Sequence, residues 1–206
     1  MSTCTQRVMM TLKEKNVPFE LVPVNLMNGE QKKPEFLKKQ PFGVIPVLED
    51  DDYLIYESRG ICRYLEQKYK DQGSALTPNV TDVKAFGKFE QAASVEIFNY
   101  DTCASGIVFE KLFKKMMGLG ETDEAKVKQL TEKLEQTLNV YEQILSKQKY
   151  LAGNEFTLVD LFHIPYTAHL FKLGFNKQFE ARPNVMNWWN ACTERQAWQD
   201  TLNTKL

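Results

Sequence analysis

The residues from Ile45 to Ser58 combine two devices for holding an extended anion. The run Ile45-Pro46-Val47-Leu48 opens on a proline-led strand, which lacks one backbone donor and admits a cis bond. The acidic turn Glu49-Asp50-Asp51-Asp52 then leads into a second apolar run, Tyr53-Leu54-Ile55-Tyr56. Glu57-Ser58 follows at the start of a helical pattern, where free N–H groups face any anion nearby. The spacing predicts a hairpin feeding a helix, with a carboxylate and a hydroxyl at the junction. The same pair also serves as a plain helix cap, and Pro46 also suits an edge strand.

Other reactive side chains are sparse. Cys4, Cys62, Cys103 and Cys192 are far apart and form no CxxC pair, which argues against metal clusters and disulfide frameworks and for a reducing cytosol. His163 and His169 have no Cys or carboxylate partners at metal-ligand spacing, so no metal is expected. Ser2 precedes the first helical pattern and is placed to cap it.

Composition narrows the partners. The chain has 206 residues, a net charge of −1, 43% hydrophobic and 26% charged residues, enough for a packed core in one or two small domains. It carries no basic stripe suited to a phosphate backbone, so nucleic acid is not an expected partner. No segment reaches the apolar length of a membrane span, and no signal-peptide pattern precedes the chain.

The elements that must position these residues fall into two regions. Residues 4–16 carry a helical pattern, 19–24 (Phe-Glu-Leu-Val-Pro-Val) read as an edge strand, and 34–39 as a short helix led by Pro34. The hairpin of residues 46–56 and a helix from Ser58 to about Tyr69 complete an α/β unit over residues 1–72. Residues 73–82, with Gly73 and Pro78, form a polar linker. Residues 83–206 are read as an all-helical domain. Val127, Leu130, Leu134, Leu138, Tyr141 and Leu145 step at helical spacing. Thr157-x-x-Asp160 is a capping box, with Phe156 and Leu161 as its hydrophobic staple.

This order resembles a cytosolic glutathione transferase, and its N-terminal motifs resemble the phi class of plants and fungi. The residues that carry the likeness are Ser2-Thr3-Cys4-Thr5-Gln6-Arg7-Val8, Asn28-Gly29-Glu30-Gln31-Lys32-Lys33-Pro34, Gln40-Pro41-Phe42-Gly43, Tyr56-Glu57-Ser58-Arg59 and Tyr150-Leu151-Ala152-Gly153-Asn154. The resemblance covers the whole chain and implies a thioredoxin-like α/β domain followed by the all-α domain. The family also has a β-strand ahead of its catalytic serine. This chain begins at Met1-Ser2 and lacks that strand, which reads as an incomplete chain; if Met1 is the true start, the α/β domain is expected to be labile and to bind glutathione weakly.

The resemblance assigns roles. Ser2 is the catalytic hydroxyl that holds the glutathione sulfur as thiolate. Arg7, one turn on, strengthens the local positive field or is a solvated surface charge. Gln31 and Lys32 meet the glycyl carboxylate, with glutamine standing where the family often has histidine. Ile45, before Pro46, pairs with the cysteinyl backbone, while Glu57 and Ser58 take the γ-glutamyl ammonium and carboxylate. Val44 replaces a glutamine, so a side-chain hydrogen bond to glutathione is absent there. Cys4 lies two residues past the serine and is read as a buried structural thiol. Phe109, Leu112, Phe113 and Met116 line the site of an apolar second substrate or serve core and dimer packing.

The implied function is a cytoplasmic, homodimeric glutathione transferase. It would conjugate glutathione, its co-substrate, to hydrophobic electrophiles, or reduce hydroperoxides. A ligandin that carries apolar small molecules with little turnover is the alternative, and an interaction domain of a larger assembly is a third reading.

Overall fold

A computed structural model describes residues 1–204. The chain divides into two compact units, Met1–Ala75 with Arg195–Leu206, and Leu76–Glu194.

The first unit begins with helix α1 (Thr3–Glu14), capped by Ser2, whose hydroxyl accepts the Thr5 N–H at 3.4 Å. Val8, Met9, Met10 and Leu12 supply its buried face. A single 3₁₀ turn (Glu30–Lys32) precedes α2 (Pro34–Lys39), where Pro34 sits at the first turn and needs no N–H partner. Strands β1 (Val47–Asp50) and β2 (Tyr53–Tyr56) form an antiparallel hairpin with Val47 opposite Tyr56. Helix α3 (Ser58–Lys68) follows directly and buries Ile61, Cys62 and Leu65.

Residues 19–24 form no strand. Their apolar composition suits a sheet, but a ladder needs a neighbour, and among the described residues β1 and β2 pair only with each other. Among the described residues the α/β unit therefore has a two-stranded sheet.

Helix α11 (Gln196–Asn203) packs on α1 through the buried Ala197, Trp198 and Thr201. Its sequence pattern had grouped it with the helical region.

The second unit is helical. Helix α4 (Val83–Val95) runs into a π-helical turn (Glu96–Asp101), α5 (Thr102–Val108), a second π turn (Phe109–Phe113) and the short α6 (Lys114–Met116). Then come α7 (Glu124–Leu145), α8 (Leu158–Lys172), α9 (Asn176–Glu180) and α10 (Pro183–Thr193). The α7 stripe is buried at Val127, Leu134, Leu138, Tyr141 and Leu145.

The capping box at Thr157 is complete: both the Thr157 hydroxyl and the Asp160 carboxylate make their reciprocal bonds. The Asp160 carboxylate also accepts the Leu151 N–H at 3.0 Å and the Trp188 indole N–H at 2.9 Å. Burial raises its pKa while these donors pull it down, and burial prevails.

Candidate glutathione site

Two helix N-termini of the first unit carry the site candidates. Ser2 is half-buried at the start of α1, with extended backbone (φ −65°, ψ 138°). Its hydroxyl oxygen accepts from Thr5, which leaves the hydroxyl proton available to a sulfur. Ser2 is therefore a helix cap whose donor is still free for chemistry.

Arg7 is not a surface charge. It is 1% exposed and turns into the interface of α1 and α3, where its charge acts on the Cys62 thiol. Its guanidinium also reaches the Cys4 sulfur at 4.0 Å. Cys4 is half-buried rather than sequestered. The Cys62 thiol, by contrast, is pushed up to about 12 by burial and is inert.

The second terminus is built with unusual backbone. Glu57 sits at φ 68°, ψ 108° and its carbonyl accepts the Ile61 N–H at 2.8 Å. A non-glycine residue rarely adopts such a positive φ, and residues that do concentrate at functional sites. The bend takes the chain from β2 into α3, leaving Glu57 exposed and Ser58 buried beneath it. The start of α3 thus carries an exposed carboxylate and a hydroxyl on adjacent residues at a helix N-terminus, a set that suits an amino acid's ammonium and carboxylate.

The Ile45–Pro46 peptide bond is cis. Ile45 and Pro46 are half-buried, and the Val44 side chain is 47% exposed. Just before them, the fully buried Gln40 accepts the Phe42 N–H on its side-chain oxygen at 2.6 Å, and its carbonyl accepts the Gly43 N–H at 3.0 Å. Gly43 has φ 61°, and a Cβ there would lie 2.8 Å from the Gln31 carbonyl oxygen. Only glycine fits that close approach. It brings residues 40–43 against Gln31 and Lys32, whose Nζ donates to the Phe42 carbonyl at 3.0 Å.

Lys32 is exposed, and the side-chain oxygen of Gln31 is buried with no partner. The role of Gln40 as the brace of this loop was not legible in sequence. Its signal was the turn Gln40-Pro41-Phe42-Gly43, which fixes a bend without saying which side chain supports it.

Among the described residues no group of three His, Cys, Asp or Glu could hold a metal ion, and no helix is long and apolar enough to cross a membrane. In the second unit, Phe109, Leu112 and Phe113 of the π turn are half-buried and Met116 is exposed. Their apolar surface is only partly committed to the core.

Comparison with known proteins gives this geometry a family. Residues 1–73 match the sequence model of the glutathione S-transferase N-terminal domain, and residues 78–196 match that of the C-terminal domain. The chain is 52% identical over 192 residues to glutathione S-transferase PM239X14 of Arabidopsis thaliana, covering 92% of this chain and 87% of that one. The crystal structure of glutathione transferase F7 from Populus trichocarpa superposes with a TM-score of 0.94 at 40% identity, covering 98% of this chain and 94% of that one. Glutathione S-transferase I from maize, solved in complex with an atrazine glutathione conjugate, matches with a TM-score of 0.89 at 34% identity, covering 98% and 93%.

The chain belongs to the glutathione S-transferase family: a thioredoxin-like domain with few strands precedes an all-helical one. Within that family it is of the phi class, the plant and fungal type.

Proposed function

We propose that this chain conjugates glutathione to apolar electrophiles, with the Ser2 hydroxyl donating to the sulfur and holding it as thiolate. A cysteine-type thiol titrates near ~8.5, so only a small fraction is thiolate at neutral pH. A hydrogen bond from a hydroxyl to a charged acceptor contributes roughly 1.5–3 kcal/mol, and a helix N-terminus roughly 0.3–1 kcal/mol. At about 1.36 kcal/mol per pKa unit, these lower the thiol by roughly 1–3 units, enough to make thiolate abundant.

The observation that carries the reading is the pair of helix starts. One presents a hydroxyl with an uncommitted proton at Ser2. The other presents Glu57 and Ser58 around a bend at positive φ. The rest of the tripeptide would lie along Ile45 and Pro46, with Gln31 and Lys32 meeting the glycyl carboxylate. Hydroperoxide reduction would use the same thiolate. Homodimerisation and a cytoplasmic location belong to the same reading.

Val44 supports a second reading, since an exposed apolar side chain stands beside the peptide-binding strand. A ligand carrier with little turnover would tolerate that. Steady-state conjugation of glutathione to an aryl halide, run beside titration with apolar ligands, separates the two. Saturable turnover that depends on glutathione supports the transferase; tight ligand binding without turnover overturns it in favour of the carrier.

A further inference from the structure

The far ends of α1 and α3 are joined by an ion pair closed to solvent. Lys15 Nζ lies 2.9 Å from the Glu66 carboxylate, with side chains 0% and 4% exposed. The same ammonium donates to the Ser74 carbonyl at 2.9 Å. Next to it, Glu14 accepts two bonds from Arg195, at 2.5 and 2.7 Å, and one from the Ser74 hydroxyl at 2.8 Å. The Gln72 amide closes the helix end by donating to the Lys15 and Asn16 carbonyls at 2.7 and 3.0 Å. Gly73 passes so close that a Cβ would lie 2.2 Å from the Glu14 carbonyl oxygen.

Neither the thiolate chemistry nor the tripeptide site uses these groups. Yet α1 carries Ser2 at its other end, and α3 carries Glu57 and Ser58. Two contacts fix how the helices run. The Thr11 hydroxyl lies against the Cys62 thiol, and four residues on along both helices Lys15 meets Glu66. The helices are therefore parallel and in step. Carried back toward the N-termini, that register puts Ser58 level with Arg7 and Ser2 five residues beyond. At 1.5 Å per residue the offset is about 7.5 Å. The γ-glutamyl end of glutathione and its sulfur are separated by about two extended residues, ~7 Å.

We propose that the Lys15–Glu66 pair sets the axial register of α1 against α3, and through it the span between the Ser2 hydroxyl and the Glu57-Ser58 anion site. Lys15 and Glu66 are then positioning residues for thiolate formation. The proposal rests on the transferase reading of Ser2, Glu57 and Ser58. The physical reason lies in what each contact tolerates. Apolar side chains between the helices can slide and repack at modest cost. A slip that separates a buried ammonium from its carboxylate breaks a charge contact in a place closed to solvent, which costs more than sliding apolar side chains. The pair therefore admits one register, and the Glu14–Arg195–Ser74 cluster holds the end of α1 in it.

The test uses the full chain. Lys15→Met with Glu66→Leu removes both charges together and preserves apolar volume, so the variant is expected to fold. Circular dichroism and thermal melting check this, and the single variant Glu66→Gln provides a second reading. Affinity for S-methylglutathione, which has no thiol, reports the anion site alone. Ultraviolet titration of bound glutathione reports its thiol pKa.

In the double variant the thiol pKa is expected to rise by about one unit and kcat to fall about tenfold, with S-methylglutathione affinity nearly unchanged. Glu66→Gln is expected to move the thiol pKa the same way. A folded double variant with unaltered thiol pKa and kcat overturns the proposal, as does an equal loss of affinity for both glutathione forms. Ser2→Ala separates the layers. If it leaves the thiol pKa in place, the reading of Ser2 fails; if it raises the thiol pKa while the double variant does not, only the register role fails.

Discussion

The Tyr141 hydroxyl lies 3.0 Å from His163 Nε2, while His163 Nδ1 lies 2.7 Å from the Val159 carbonyl. A carbonyl only accepts, so His163 Nδ1 carries a proton and donates to it. Both residues are buried within the helical unit. Burial keeps the Tyr141 hydroxyl protonated by raising its pKa well above the ordinary tyrosine value.

Tyr141→Phe removes the hydroxyl that lies 3.0 Å from His163 Nε2, and with it this buried polar contact. The expected loss is about 1–3 kcal/mol of stability, read as a lower Tm of a few degrees with glutathione affinity unchanged. A melting curve that matches the parent would show that the contact contributes nothing.

Asp160→Ala orphans more groups at once. The Leu151 and Thr157 N–H groups and the Trp188 indole N–H all donate to this carboxylate. Each unsatisfied buried donor costs about 1–3 kcal/mol, so the helical unit should melt far below the parent or fail to fold. Trp188→Phe, which deletes one donor and keeps the acceptor, should be milder. Equal melting temperatures for the two variants would contradict this ordering.

Substitution separates the capping of α1 by Ser2 from the role proposed for its hydroxyl at the sulfur. Ser2→Gly retains most of the capping, at a loss of a few tenths of a kcal/mol, whereas Ser2→Ala loses about 1 kcal/mol of it. Both delete the hydroxyl donor. Turnover should therefore fall by about 10- to 100-fold in both, corresponding to roughly 1.5–3 kcal/mol, with KM for glutathione nearly constant. Unchanged kcat in both variants would remove Ser2 from the chemistry.

Glu57→Gln and Ser58→Ala act on the opposite parameter. On the proposed reading each weakens contacts to the γ-glutamyl group and leaves the sulfur untouched, so KM for glutathione should rise by about tenfold, with kcat at saturation much less affected. Glu57→Val adds strain at φ 68° and should lower stability as well. A variant of Glu57 or Ser58 that lowers kcat alone would mean that the tripeptide binds elsewhere.

Glu110 gives the helical unit an acid limit. Hydrogen bonds from Lys114, the Asp123 N–H and Lys126 lower its pKa from 4.5 to about 2. A depressed carboxylate stabilises the fold above its unfolded pKa, and that contribution is lost as pH falls through the folded value. The window is therefore pH 4.5 down to about 2. Melting temperatures across that window should fall more steeply for the parent than for Glu110→Gln. Parallel slopes would show that Glu110 carries none of the acid sensitivity.

Much of this molecule could be read from local spacing. Pro34–Lys39 is a helix led by its proline, the hairpin ends at Glu57-Ser58, and the Thr157 capping box closes as its motif requires. Each depends on groups within a few residues of one another, and the backbone hydrogen-bond pattern of a turn or cap is fixed at that range. The strand expected at residues 19–24 failed for the complementary reason. Alternating apolar residues state a preference for a sheet, but the partner that completes a ladder lies elsewhere in the chain.

The sequence by itself determined which residue types stand at the two helix starts: a serine before α1, a glutamate before α3 with a serine opening it, and a proline-led strand between. Periodicity and capping are properties of neighbouring residues, so they survive without knowledge of the fold. Tertiary structure alone decided that Arg7 turns inward, that Gln40 braces the loop beside Lys32, and that Arg195 reaches Glu14 from 181 positions away. It also decided that Lys15 finds Glu66. Such partnerships depend on which surfaces pack, and a buried charge accepts only the geometry that supplies its counter-charge.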